Sequence, residues 1–305
     1  MPLASAEELS GSKPPSQTKR ENEWPLVLSA AYFDDGHKKP GLAVAGYSAA
    51  IDTWGHLDGH WQALLKFWNL RYFKASECEN GLLEFVQFRD DLTGPKSRLK
   101  PHERERLRKV KLEFSDAISA RHYALQGYGA SIATEDLARI IAEDPTAPMI
   151  FLNKPSYLAA ELCLVAATVL VSDVNMRRSR NDKIELRPIL DVREECGGIT
   201  RAAFDEFAKK NPRSAEVLLP PQYDELGTNS WLQVADMLAF ELCTQLIHHA
   251  NDTRDDYMRV SLRTLLPAMH RVFKLNRKDL KQIFHNYSSD SIPVRHLLPE
   301  QLWQE

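Results

Sequence analysis

The chain has 305 residues, 43% of them hydrophobic and 27% charged, enough apolar material to bury a sizeable core in one large domain or two small ones. Its 39 Lys and Arg against 42 Asp and Glu give a formal net charge of −3 and an isoelectric point near 6.4. That balance excludes a global positive field, so any nucleic-acid binding must come from local patches.

Residues 1–22 are rich in Ser, Pro, Lys and Glu without an apolar period, the composition of a disordered tail. They show no basic start followed by an apolar run, so no secretory leader is expected. No apolar stretch reaches the roughly 18 residues of a membrane span. Cys78, Cys163, Cys196 and Cys243 form no C-x-x-C pair, which points to buried thiols in a reducing compartment rather than a disulfide framework. The expectation is a cytoplasmic protein with no membrane partner.

Order begins at Trp24. Leu26 to Phe33 is an apolar run that stops at Asp34-Asp35-Gly36, too short for a buried helix and bounded by turn residues, hence a strand. Residues 42–50 read as its hairpin partner. Trp61, Leu64, Leu65 and Trp68 fall at helical spacing within 57–70. Residues 101–120 open on a proline, favoured at a first helical position, and carry Leu107, Val110 and Phe114 on one side. A third strand is expected over 122–132, and a short helix over 134–142 capped by Thr134. A long apolar helix follows over 155–174, then a fourth strand over 184–191, a helix over 200–210 and a fifth strand over 215–219. A strong helix covers 230–250, and further helices are expected over 262–273 and 277–287.

The first three strands can form a meander. The later two need helical crossovers and should pair in parallel. This order is the one used by the ribonuclease H fold. The expected architecture is therefore α/β, with a mixed five-stranded sheet flanked by helices. The core would span 23–250, with a helical insertion at about 55–121 and a helical extension at 251–305.

The chemistry-bearing signal is a set of acids at positions that the hydrophobic pattern assigns to the interior. Burying an unpaired carboxylate costs several kcal/mol or forces it to take up a proton. Asp34 closes the first strand on the face of Leu26, Leu28 and Tyr32, and Asp35 takes the other face. Asp191 ends the fourth strand, and sites in open α/β sheets gather outside the carboxyl ends of parallel strands. Asp236 borders the Leu232, Ala235, Ala239 stripe of the 230–250 helix, with Gln233 three residues back to orient it. Glu161 interrupts the Leu158, Leu162, Val165, Val169 face of the long helix. Each acid alone could be a turn residue or the partner of an arginine. Together they occupy the places where ribonuclease-H-like enzymes put metal-binding acids. Mg²⁺ and Mn²⁺ favour such oxygen ligands.

Four stretches resemble the family called domain of unknown function 3800. Tyr32-Phe33-Asp34-Asp35-Gly36 resembles its strand-one motif, and Phe73-Lys74-Ala75-Ser76-Glu77 its second motif. Ile189-Leu190-Asp191 resembles its fourth-strand acid. Leu232-Gln233-Val234-Ala235-Asp236 resembles its C-terminal signature, the most specific of the four. The likeness covers roughly residues 26 to 250. It implies a ribonuclease-H-like fold, core acids Asp34, Asp191 and Asp236, and Glu77 as a further acid. The chain departs from the family where Asp35 replaces Glu, Gly36 replaces Ser and Lys74 replaces His. The fourth acid stays open, Glu161 by topology and Glu77 by resemblance. Pro188 is unexpected in an inner strand, since proline cannot donate to the ladder.

His56 with His60, and His248 with His249, lack the further ligands that zinc needs. No P-loop, nucleophile-elbow or dinucleotide-binding pattern occurs. Arg104, Arg106, Arg108, Lys109 and Lys111 alternate with glutamates and read as a solvated face with internal ion pairs. Arg177, Arg178 and Arg180 form a purer patch at the opposite end of the fourth strand from Asp191, either a candidate phosphate contact or an ordinarily solvated loop. The functional expectation is a Mg²⁺- or Mn²⁺-dependent nuclease, with a non-catalytic module binding nucleic acid or a protein as the alternative.

Overall fold

Leu26–Phe33 forms β1 and Gly41–Ala50 forms β2, paired antiparallel with Leu26 opposite Ala50 and Phe33 opposite Ala43. A computed structural model describes residues 26–33, 41–90, 99–120, 125–143, 155–176, 184–191, 205, 208–209, 212, 216–251 and 259–287. The 1–22 tail, Asp34, Asp35, Arg177, Arg178, Arg180, Cys196 and most of the 200–210 helix lie outside the described residues.

Downstream of β2 come helices α1 (Ile51–Phe67) and α2 (Ala75–Asn80), a 3₁₀ turn (Leu83–Phe88) and α3 (Pro101–Ser119). Strand β3 (Gln126–Ala133) leads directly into α4 (Thr134–Glu143). Then come α5 (Pro155–Met176), β4 (Leu186–Asp191), β5 (Gln222–Asp224), α6 (Ser230–Asn251), α7 (Val260–Leu265), β6 (Met269–Leu275) and α8 (Arg277–Tyr287). The sheet order is β5-β4-β1-β2-β3-β6. Only β2 runs against its neighbours: β1 pairs β4, β4 pairs β5 and β3 pairs β6, all in parallel.

Two expectations need correcting. The sheet has six strands rather than five. The sixth is Met269–Leu275, inside the stretch that reads as helix from residue 262 to 273. There the helix ends after Leu265, and Pro267 lies in a 3₁₀ turn. Beyond that turn Phe273 and Leu275 are buried while Lys274 is exposed, the alternation of a strand. The fifth strand forms at 222–224, and residue 218 of the expected 215–219 strand makes only an isolated bridge to Leu186.

The sheet is buried on both faces. One face, built from Leu42 and Val44 of β2, Tyr128, Ala130 and Ile132 of β3 and Leu186 of β4, packs on α5 with α4 and α8. The other, built from Ala43, Ala45 and Tyr47 of β2 and Ile189 of β4, packs on α6. Helices α1 to α3 stack outside α6 through Trp54, Leu57, Trp61, Phe73 and Phe114. Two glycines let α6 lie close to the strands. A β-carbon on Gly129 would overlap Leu242, and one on Gly41 would come within 2.7 Å of Leu246.

Pro188 fits its inner strand because of where pairing lapses. Leu186 donates to Val217 and accepts from Leu219 on the β5 side. In a parallel strand the residue two positions on points its nitrogen the same way. That side is unpaired between the Leu186–Leu218 bridge and the start of β5 at Gln222.

Cys78, Cys163 and Cys243 are buried, and no disulfide joins them. Among the described residues, no helix is long and apolar enough to cross a membrane.

Candidate functional site

Asp191 is the last residue of β4 and is 4% exposed. It lies two positions beyond Ile189, which packs into the core on the α6 side, so strand alternation turns Asp191 to that same face. Its register partner on β5 is Asp224. Neighbouring strands lie about 4.8 Å apart, so two carboxyl-bearing residues stand side by side at the carboxyl ends of adjacent parallel strands. Asp224 escapes a reading of the sequence because its strand is only three residues long. Its Oδ2 accepts from Asn229 Nδ2 at 2.9 Å, and Asn229 Oδ1 caps α6 by accepting from the amides of Trp231 and Leu232. The start of α6 is thereby tied to the end of β5.

From there α6 carries Gln233 and Asp236 inward, 2% and 1% exposed. Gln233 Oε1 accepts from Trp61 Nε1 and from the amide of Phe73, each at 2.9 Å, while its Nε2 donates to the carbonyl of Leu226 at 3.0 Å. The amide of Ala75 donates to Asp236 Oδ2 at 3.0 Å. Residues 73 to 75 are therefore held to α6 by two side chains one helical turn apart. The two stretches concerned, Phe73–Glu77 and Leu232–Asp236, are far apart in the sequence, and the fold docks one on the other.

That docking separates the two candidates for a fourth acid. Glu77 sits on α2, begun by the residue bonded to Asp236, and is 6% exposed. Its Oε2 accepts from Tyr72 at 2.8 Å, and Lys74 Nζ lies 3.4 Å from its Oε1. Burial first, and then the bond to Glu77, push the Tyr72 phenol up to about 12, so it remains a donor. Glu161 belongs to α5, which covers the opposite face of the sheet from α6. Element placement therefore puts Glu77, not Glu161, on the side of Asp236 and Asp191.

A second polar centre lies further along α6. Glu241 is wholly buried. Lys111 Nζ approaches its Oε1 at 3.0 Å and Arg259 Nε its Oε2 at 2.8 Å. Glu79, at the end of α2, pairs with the same two cations, at 2.9 Å for Arg259. Phe240 lies beneath both, its ring centre 5.4 Å from Lys111 and 5.8 Å from Arg259. Burial alone would raise the Glu79 carboxyl, but the charges of Lys111 and Arg259 outweigh it and hold it near 2. This centre corrects the reading of Lys111 as part of a solvated face: the side chain is buried and reaches across to α2 and α6. The overlooked signal is Glu241 itself, an acid inside the apolar run from Val234 to Cys243.

Among the described residues, no three His, Cys, Asp or Glu side chains are grouped closely enough to hold a metal ion. The donors present are hard carboxylate oxygens, the type that Mg²⁺ and Mn²⁺ accept, but Asp34 and the Glu161 side chain lie outside the description. No family model, curated protein or solved structure matches the chain.

Proposed function

We propose that the chain is a ribonuclease-H-like nuclease that cleaves phosphodiester bonds with Mg²⁺ or Mn²⁺. The observation that carries this reading is the placement of two buried carboxylates on one face of the sheet: Asp191 at the carboxyl end of β4, and Asp236 on the helix covering that face. The antiparallel β1-β2-β3 meander, with β4 and β5 added in parallel, is the arrangement this reading expects. When bound, divalent ions would stabilise the attacking and leaving oxygens of the phosphodiester. The Ala75 amide holds Asp236, whereas Gln233, expected to orient it, bonds Trp61, Phe73 and Leu226 instead; Glu77, two residues on from Ala75, is the further candidate acid. Arg177, Arg178 and Arg180 stand as candidate contacts to substrate phosphates.

The ligand set needs an acid from the end of the first strand. Register pairs even with even and odd with odd positions between β1 and β4, and the odd positions of β2 and β4 face α6. Asp34 and Asp35 lie outside the described residues, so both belong in the test. Full-length protein should cleave at least one of single-stranded DNA, duplex DNA, RNA or RNA–DNA hybrid with Mn²⁺ or Mg²⁺, and EDTA should stop it. Asp191→Asn and Asp236→Asn should each abolish cleavage, as should Asn at position 34 or 35. Asparagine at 236 can still accept from Ala75, so its unfolding free energy should stay within about 1 kcal/mol of wild type. Cleavage that survives Asp236→Asn in a folded protein, or that resists EDTA, overturns the assignment.

A non-catalytic module that binds nucleic acid or a protein is the second reading. It is favoured by the pairing of Glu77 with Lys74, which offsets one of the candidate acids. Calorimetry with Mn²⁺ separates the two, because only the nuclease requires binding that Asp191→Asn removes.

A further inference from the structure

The ion-pair centre on α6 is not sealed. It forms the floor of an open cavity of about 570 Å³ between α2, α3 and the residues entering α7, within the 300–1,000 Å³ range of small-molecule sites. Among the described residues, Arg104, Arg108, Lys111 and Arg259 line it, with Glu79 as the one carboxylate on its wall. Glu241 lies beneath the wall and cancels one of these charges. Among the described residues, Glu79 and Glu241 offset Lys111 and Arg259, and Glu105 lies 3.3 Å from Arg108. That leaves the exposed Arg104 as the one surplus cation at this concave site.

The floor is pre-arranged. Glu241 holds Lys111 and Arg259 from below, and Gln245 Oε1 accepts from the Arg259 amide at 3.1 Å, so both cations stay in place whatever lies above them. Glu79 faces them from the cavity side and is 36% exposed, whereas Glu241 has no exposure. The upper carboxylate is thus the one an incoming anion can displace without stranding the buried one. The remaining wall is mixed: Leu99, Leu107, Leu112 and Val260 form an apolar side, and Asn80 and Ser261 add polar groups.

We infer that this cavity binds a small organic phosphate. Its phosphate would lie over Lys111 and Arg259, flanked by Arg104 and Arg108, and its organic part against the leucine wall. Phosphate suits the site because guanidinium groups bond its oxygens in pairs and charge-assisted bonds are the strong ones. The apolar side asks for more than inorganic phosphate. The inference does not rest on the nuclease reading, since none of these residues belongs to the Asp191–Asp236 site.

Calorimetry on the full chain in EDTA, with adenosine 5′-monophosphate as the probe, tests it without engaging a metal site. The nucleotide should bind about tenfold or more tightly than adenosine or inorganic phosphate, the size of effect that charge-assisted bonds confer. Arg104→Glu with Arg108→Glu, both at the surface, should weaken binding by at least about tenfold and leave the unfolding midpoint unchanged. Glu79→Gln should tighten binding severalfold by removing the competing carboxylate. The proposal fails if no nucleotide binds at millimolar concentration, if adenosine or inorganic phosphate binds as well as the nucleotide, or if the double charge reversal leaves affinity intact.

Discussion

The two halves of α6 grip the rest of the protein with the same kinds of residue and opposite electrostatics. In the first half, Gln233 and Asp236 take the backbone amides of Phe73 and Ala75. In the second half, Glu241 and Gln245 take the side chain and the backbone amide of Arg259, with Lys111 completing the set. An amide hydrogen bond holds a carboxylate in place without cancelling its charge, whereas Lys111 and Arg259 cancel that of Glu241. Two buried acids five residues apart on one helix therefore suit different work. Glu241 is held by two side-chain cations, whereas Asp236 accepts the backbone amide of Ala75.

The sharpest way to break this comparison is to remove the neutral grip. Gln233→Ala strands the indole N–H of Trp61 and the amide of Phe73, two buried donors that each cost about 1–3 kcal/mol when left unsatisfied. Urea unfolding should show a loss of about 4 kcal/mol by that count, nearly constant from pH 5 to 8 because no charge is involved. A loss under about 1 kcal/mol would mean that residues 73 to 75 are held by other contacts and that the Gln233–Asp236 pair is no clamp.

Removing the ionic grip should cost somewhat less. Lys111→Met keeps the aliphatic stem but takes away one of two cations on a wholly buried carboxylate. Breaking a buried pair costs about 3–5 kcal/mol. Because Arg259 still faces Glu241, the expected loss sits near the lower end, about 3 kcal/mol. Loss of less than about 1 kcal/mol would show that Arg259 alone compensates Glu241, and that Lys111 is free to serve the cavity above.

Much of this fold is legible in the sequence where one physical signal dominates. Trp61 and Leu65, at helical spacing, line the buried side of α1, although the helix starts at Ile51, six residues before the expected 57. The apolar run of β1 stops where turn residues begin, and the strand covers Leu26–Phe33. The α6 signature with Gln233 and Asp236 falls on a buried helix as its pattern implies. The sequence misleads where two signals compete. Leu262, Leu265 and Phe273 suggest one helix, yet Pro267 divides the stretch into a short helix and a strand. Glu79, Lys111 and Arg259 are invisible as a group, because 32 residues separate the first two and 148 the last two. Charges on helices with exposed faces look alike in sequence, and only the fold turns Lys111 inward. The Ala75–Asp236 bond spans 161 positions for the same reason: both motifs are readable, but their contact is a tertiary fact.

The smallest effect tests whether charge is what distinguishes the second half of α6. Glu79 has its carboxyl pulled from an ordinary value near 4.5 down to about 2 by Lys111 and Arg259, against the opposing effect of burial. A depressed pKa means that the folded state binds the proton less readily than the unfolded state. The stabilisation is then complete above about pH 4.5 and is lost as pH falls toward 2. Solvent screening of a side chain 36% exposed keeps it under about 1 kcal/mol. Wild type should therefore be slightly more stable than Glu79→Gln at pH 6, and the gap should narrow by pH 3 and close toward pH 2. A gap that stays constant over that range would mean that shape or hydrogen bonding at position 79 matters rather than charge. Glu79 would then be a poor stand-in for a phosphate, and the contrast between the two halves of α6 would narrow to Glu241 alone.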